Sequence, residues 1–180
     1  MIRFCDVFFS LLGLIVLSPI FVIIALCIVL DSRGGVFYRQ VRVGRDGKDF
    51  RLFKFRSMAS GADKKGLITV GAKDSRVTRV GYFLRKYKLD ELPQLLNVVR
   101  GEMSLVGPRP EVRKYVDMYT VEQRKVLAVA PGITDYASIE YADENTILGQ
   151  ARDPDRAYVE QIMPDKIRSV SYTHLTLPTT

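Results

Sequence analysis

Asp90 and Glu91 are adjacent carboxylates in the segment YKLDELPQLLNVVRGEMSLVGPRP, residues 87–110, and Arg85, Lys86, Lys88, Arg100 and Arg109 bracket them. Carboxylates held among cations suit phosphoryl chemistry. One oxygen attacks phosphorus or binds a metal while guanidinium forks grip phosphate oxygens. Acids ahead of a helix are also ordinary caps, but capping does not account for the surplus of cations. Arg109 lies between Pro108 and Pro110, which restrict the backbone that carries it. Lys54 and Arg56, in FKFRSM, end a strand pattern, and the solvent face of a half-buried strand explains them without any ligand. Few other groups are available as catalysts. Trp is absent, the single histidine is His174 in a threonine-rich tail, and the two cysteines, Cys5 and Cys27, flank or enter an apolar run. His relays, zinc sites and a disulfide framework are thereby disfavoured. Gly66–Gly71 (GLITVG) lacks the Gly-Lys-Ser/Thr ending of a nucleotide-hydrolysing loop.

The elements that must position these groups begin with Val7–Leu30, 24 residues without a charge, broken at Ser18-Pro19. As one straight helix it would reach roughly 36 Å, against a hydrocarbon core of about 30 Å. Arg3 precedes the run, and Arg33, Arg39, Arg42 and Arg45 follow it. Positive flanks on both sides favour both ends on one side of the membrane. A re-entrant helix-break-helix and a simple spanning helix both stay open on these grounds. The net charge of +7 falls almost wholly outside this run, which suits phosphate-bearing ligands or anionic lipid rather than nucleic acid in an anchored chain.

Val36–Val43 and Phe50–Phe55 read as strands, and Asp46-Gly47 between them reads as a hairpin turn. Ser60–Lys73 reads as a loop. Val77–Tyr87 has helical spacing with a basic outer face, as expected of an interfacial or a core helix. A further helix is expected just after the acidic pair, with Leu92, Leu95, Leu96 and Val99 as its apolar stripe, ended by Gly101. Glu111–Val129 and Asp153–Arg168 read as helices, the second interrupted at Pro164. Pro131–Thr134 reads as a turn and Tyr136–Tyr141 as a short strand. The expected fold class is α+β, mostly helical: a membrane helix-break-helix over 1–32, then a domain over 33–168 with a β-hairpin and amphipathic helices around a small catalytic core. Residues 169–180 form an atypical tail.

FKFRSM (53–58), LRKYKLDELPQLLNVVRGEMSLVGPRP (84–110) and PGIT (131–134) closely resemble the bacterial sugar transferases, and more narrowly the small monotopic phosphoglycosyl transferases of the Pgl C type. The resemblance runs over about residues 1–168; SVSYTHLTLPTT (169–180) departs from it. It implies a re-entrant helix broken at Ser18 and Pro19, which anchors a catalytic domain on the cytoplasmic face of the bacterial inner membrane. It implies transfer of a sugar-1-phosphate from a UDP-sugar to a polyprenyl phosphate, typically undecaprenyl phosphate, with release of UMP. Asp90 falls on the family's nucleophile, which forms a covalent phosphosugar intermediate, and Glu91 on its catalytic neighbour, which is expected to assist as a general base or by positioning the second substrate. Magnesium is expected near Asp90, and Arg56, Arg85 and Arg109 match phosphate-binding positions. Membrane lipid, downstream glycosyltransferases or a second copy are the further partners this implies. The rival reading is a non-catalytic membrane-anchored scaffold.

Overall fold

The computed structural model describes residues 2–62, 74–135, 144–151 and 153–170. The expected strand at Tyr136–Tyr141, most of the expected loop at Ser60–Lys73, and His174 lie outside those residues.

The apolar run forms two helices, α1 (Ile2–Val16) and α2 (Ser18–Asp31), bent by 61° at the break. Pro19 stands in the first turn of α2, where a missing amide costs nothing, and the Ser18 hydroxyl donates to Ile15 O (2.7 Å). No single helix among the described residues is long and apolar enough to cross a membrane; the bent pair together is, by length and composition. Phe4, Ile15, Val22, Ile23, Leu26 and Leu30 are among the large apolar side chains it leaves exposed.

The inner face of α1 is polar and small, which the hydropathy of the run hides. Arg3 donates to Val99 O (3.1 Å) and Met103 O (3.3 Å). Buried Asp6 accepts from Ser104 Oγ (2.7 Å) and Leu105 N (3.2 Å). Ser10 is fully buried, and a Cβ on Gly13 would stand 3.3 Å from Leu95 Cδ1.

The hairpin pairs β1 (Phe37–Val43) with β2 (Asp49–Phe55) from Phe37↔Phe55 to Val43↔Asp49. Its connection is a single 3-10 turn, Arg45–Gly47, in which Asp46 (φ 57°) and Gly47 (φ 73°) take the left-handed conformations that Asp and Gly tolerate best. Helix α3 (Arg79–Lys86) follows, capped by Thr78, whose Oγ1 accepts from Gly81 N (2.9 Å). Asp31, the last residue of α2, accepts from Val80 N (3.0 Å), so the two helices meet end to end. Gly81 is needed for close approach, since a Cβ there would lie 1.9 Å from Ser57 O. On α3, Leu84 is buried, whereas Phe83 and Tyr87 are exposed and pack on each other at 4.7 Å between ring centroids.

The expected helix after the acidic pair begins later than its sequence suggests. Residues Leu89–Gln94 form a 3-10 turn that contains the pair, and α4 (Leu95–Arg100) starts beyond it, ended by Gly101 at φ 89°. The tighter 3-10 winding rotates the buried face onto Pro93, Gln94, Asn97 and Val98, and the expected leucine stripe is only half-buried. Asn97 is fully buried and stands in for a third strand: its Oδ1 accepts from Phe53 N (2.9 Å) and its Nδ2 donates to Arg51 O (2.8 Å).

Pro131–Thr134, expected as a turn, contains a strand. β4 (Gly132–Thr134) runs parallel to β3 (Ser104–Val106), and Gly107 and Gly132 touch so closely that neither admits a Cβ. Glu111–Val129 is not one helix. Glu111 O accepts from Val43 N (2.8 Å), extending the hairpin's edge. Only Arg113–Val116 (α5) and a 3-10 turn at Gln123–Ala128 are helical within the segment. The C-terminal helix runs through Pro164 without a break. A π turn at Tyr158–Ile162 comes just before it and widens the helix where the proline ring would meet a carbonyl. Tyr158, Ile162, Met163 and Ile167 from this helix pack on Val112, Tyr115 and Leu148. A second cluster, Ile24, Ile28, Phe55 and Leu84, joins α2 to the hairpin and α3.

Candidate active site

Lys88 takes a left-handed conformation (φ 57°) at the end of α3, and the 3-10 turn it starts lays Asp90 and Glu91 against β2. Asp90 is 6% exposed, yet among the described residues its carboxylate makes no hydrogen bond and no ion pair. It therefore caps nothing. Glu91 is fully committed. Lys54 Nζ donates to its Oε1 (2.8 Å), and Arg109 donates from Nη2 to Oε1 (2.5 Å) and from Nη1 to Oε2 (3.2 Å).

The electrostatics separate the two acids. Burial raises the Asp90 carboxyl above the ordinary carboxylate range and the Glu91 charge adds to this, while Lys54, Arg85 and Lys88 oppose it. Burial also works to raise Glu91, but Lys54 and Arg109 outweigh it and hold Glu91 well below that range. Burial lowers the Lys54 ammonium, with Glu91 opposing. A site with one uncommitted, more basic carboxylate beside a locked, weakly basic one suits nucleophilic attack by the first, with cations to receive phosphate oxygens.

Arg109 is positioned by tertiary contacts as much as by its prolines. Gly107 N donates to Thr134 O (3.0 Å), Gly132 N donates to Pro108 O (2.9 Å), and Arg109 N donates to buried Asp135 Oδ2 (3.2 Å). Asp90, Glu91 and Arg109 thus come together, and Arg85 lies near enough to act on Asp90's charge. Arg56 does not join them through any hydrogen bond. It is buried, and its Nη2 donates to Ser32 O (2.6 Å), Ser32 Oγ (3.0 Å) and Ile28 O (3.3 Å), closing the C-terminus of α2. Ser18 and Pro19 stand at the helix bend, away from the acids in sequence and element.

Lys54 is the site residue whose role the sequence left undecided. The signal was present: on a strand, residues two apart share a face, and Lys54 falls on the face of buried Phe50 and Leu52. Among the described residues there is no group of three acidic, histidine or cysteine side chains that could cage a metal. With Glu91 engaged, Asp90 is the one carboxylate of the pair available to a cation. That donor set fits magnesium arriving with a diphosphate, because this ion keeps several waters and takes one or two carboxylates plus phosphate oxygens.

A pocket opens beside this cluster, with Arg109 in its wall and Tyr119, Val126, Tyr158 and Lys166 around it.

Residues 1–166 match the family described as bacterial sugar transferase. The chain is 42% identical over 120 residues to a Bacillus subtilis (strain 168) protein provisionally named an undecaprenyl-phosphate N-acetylgalactosaminyl 1-phosphate transferase; the match covers 67% of each chain. It is 41% identical over 140 residues to the UDP-N-acetylgalactosamine-undecaprenyl-phosphate N-acetylgalactosaminephosphotransferase of Aeromonas hydrophila, covering 76% of this chain and 33% of that one. It is 45% identical over 140 residues to the UDP-glucose:undecaprenyl-phosphate glucose-1-phosphate transferase of Klebsiella pneumoniae, covering 76% and 30%. The chain thus spans about a third of the length of the last two relatives.

Proposed function

This chain belongs to the bacterial sugar transferase family, and from that premise we propose that it moves a sugar-1-phosphate from a UDP-sugar to undecaprenyl phosphate or a similar polyprenyl phosphate, releasing UMP. The relatives' names supply the substrate classes. The observation that carries the chemistry is the buried, uncommitted carboxylate of Asp90 beside the Lys54–Glu91–Arg109 clamp.

In the proposed first step an Asp90 oxygen attacks the sugar-bearing phosphorus. The bond from that phosphorus to the bridging oxygen breaks, and UMP leaves with the electron pair. In the second step an oxygen of the lipid phosphate attacks the same phosphorus and displaces the Asp90 carboxylate, giving a polyprenyl diphosphate sugar. Lys54 and Arg109, held by Glu91, and Arg85 beside Asp90 offer cations to the phosphate oxygens that gain charge. Magnesium, when bound with the diphosphate at Asp90, offsets its negative charge. A one-step transfer with Glu91 as general base is the less favoured route, because a carboxylate held so far below its ordinary range is a poor proton acceptor.

The bent α1–α2 pair serves in this proposal as a re-entrant anchor dipping into the cytoplasmic leaflet of the inner membrane. The exposed apolar side chains of both helices and the exposed Phe83–Tyr87 pair support that reading. A lipid-bound acceptor would then reach the site from the bilayer and the soluble donor from the cytosol.

The test is incubation of the purified protein with a UDP-sugar and no lipid. Intact-mass measurement is expected to find one phosphosugar added at Asp90 and one equivalent of UMP released, with neither in Asp90→Asn. Turnover by Asp90→Asn at the wild-type rate would overturn the proposal and favour a scaffold or a different nucleophile.

A further inference from the structure

Arg109 is carried by the segment Gly107-Pro108-Arg109-Pro110-Glu111. The β3–β4 pair and Asp135 hold its amino side. A second set of bonds holds its carboxyl side and has no part in the steps above. These bonds converge on Glu111, which serves three elements. Its carbonyl accepts from Val43 N at the end of β1 (2.8 Å). Its Oε1 accepts from Arg42 Nη1 of β1 (3.1 Å) and from Val112 N at the start of α5 (2.8 Å). Its Oε2 accepts from the Tyr158 hydroxyl in the π turn of the C-terminal helix. Arg42 Nη1 also donates to Pro110 O (3.2 Å), and Arg42 Nη2 donates to Gln40 Oε1 (2.9 Å). The Tyr158 ring is itself covered by Tyr115, with centroids 4.9 Å apart, and by Lys166 Nζ, 5.9 Å from its centroid.

The Arg42 and Glu111 side chains expose only 17% and 16% of their surface. A pair so buried loses hydration that offsets much of its attraction, so net stability is a poor account of it. What the pair fixes is an arrangement. Only Pro110 separates Arg109 from Glu111, and its ring fixes φ there. With planar peptides, few soft angles remain between the two residues, so a shift of Glu111 carries over to Arg109. Arg109 and Glu91 both lie near enough to act on Arg42's charge, which sets this network against the clamp. We propose that Glu111 is a positioning residue for the transfer. Tied by Arg42 to the hairpin and by Tyr158 to the C-terminal helix, it fixes the backbone from which Arg109 reaches phosphate oxygens. The C-terminal helix thereby helps to set how the site grips phosphate. This rests on the phosphate-binding role proposed above for Arg109.

The test has two arms, both on the full chain in detergent micelles. Hydrogen exchange needs no substrate. Glu111→Ala should speed exchange of the Gly107 and Arg109 amides about tenfold and Tyr158→Phe about threefold, with the β2 amides unchanged. Glu111→Gln should stay within about twofold of wild type, because its oxygen still accepts from Arg42 and Val112 and its amide can donate to the Tyr158 oxygen. Tyr158→Phe keeps the ring and decides the matter if Glu111→Ala does not fold. The second arm is UMP release with undecaprenyl phosphate and either UDP-N-acetylgalactosamine or UDP-glucose. Glu111→Ala should lower the donor kcat/KM about tenfold or more in the wild-type background, but less than about twofold in an Arg109→Gln background. Glu111→Gln should restore it. Equal losses in the two backgrounds overturn the inference. So does exchange that is unchanged at Gly107 and Arg109, or faster by the same factor throughout the chain. A wild-type chain that releases no UMP refutes the proposed transfer alone, and the exchange arm then decides whether Glu111 fixes the Arg109 segment.

Discussion

Replacing Glu91 with glutamine keeps the side chain's shape and one acceptor oxygen but removes the charge that Lys54 and Arg109 share. The Lys54 and Glu91 side chains expose only 16% and 13% of their surface, so that pair is nearly buried. Arg109, at 38%, can turn to water and recover much of its solvation. Breaking a buried pair by removing one partner costs roughly 3–5 kcal/mol. With one cation able to rehydrate and one hydrogen bond kept, about 2–3 kcal/mol is expected for Glu91→Gln. In a chain of this size that lowers Tm by roughly 5–10 °C. Thermal unfolding of wild type, Glu91→Gln, Lys54→Met and the double variant should give a coupling of about 1–3 kcal/mol. The depressed Glu91 pKa fixes the pH window. Its contribution is present above the unfolded value of about 4.3 and is lost only as pH falls through the lower folded value, so the Tm gap should persist at pH 5. The same substitution should move the acid limb of adduct formation to lower pH. Falling pH protonates Asp90, and Glu91→Gln both removes a charge that raises Asp90 and frees Lys54 to lower it. An unchanged Tm or an additive cycle would refute the clamp. A phosphosugar found on residue 91 instead of Asp90 in the wild type would make Glu91 itself the reacting group.

Asp90→Asn should cut turnover by about a thousandfold or more, measured by UMP release. It should leave Tm unchanged or higher, because burial makes the ionised carboxylate the disfavoured form in the folded chain; a fall of several degrees would make Asp90 structural. Asp6→Ala removes both hydrogen bonds from a buried carboxylate and strands Leu105 N–H. About 2–3 kcal/mol of stability should go, read as a lower Tm and faster proteolysis between α1 and β1. Arg56→Lys loses the guanidinium whose Nη2 closes the end of α2. Tm should fall with the donor KM within about twofold of wild type; a raised KM at unchanged Tm would give Arg56 to the substrate.

Local patterns made several elements legible. The hairpin followed from two alternating runs around Asp46-Gly47, and the bend between α1 and α2 from Ser18-Pro19. Each is decided by residues within a few positions of one another. The 3-10 turn holding Asp90, the β3–β4 pair and the π turn before Pro164 were not legible. Each answers to a distant partner: β2, the Gly107–Gly132 contact, and the packing of Tyr158 and Ile162.

The sequence by itself determined that two carboxylates stand among arginines beyond a broken apolar run, and so the class of chemistry to expect. Only the tertiary structure decided that Glu91 is locked and Asp90 uncommitted, that Lys54 joins them, that Arg56 closes α2, and that α1 turns Arg3 and Asp6 inward. Lys54 stands 37 residues from Glu91 and Arg109 stands 18 away. A carboxylate's partners, and hence its basicity, depend on distances in space that neither spacing nor composition encodes.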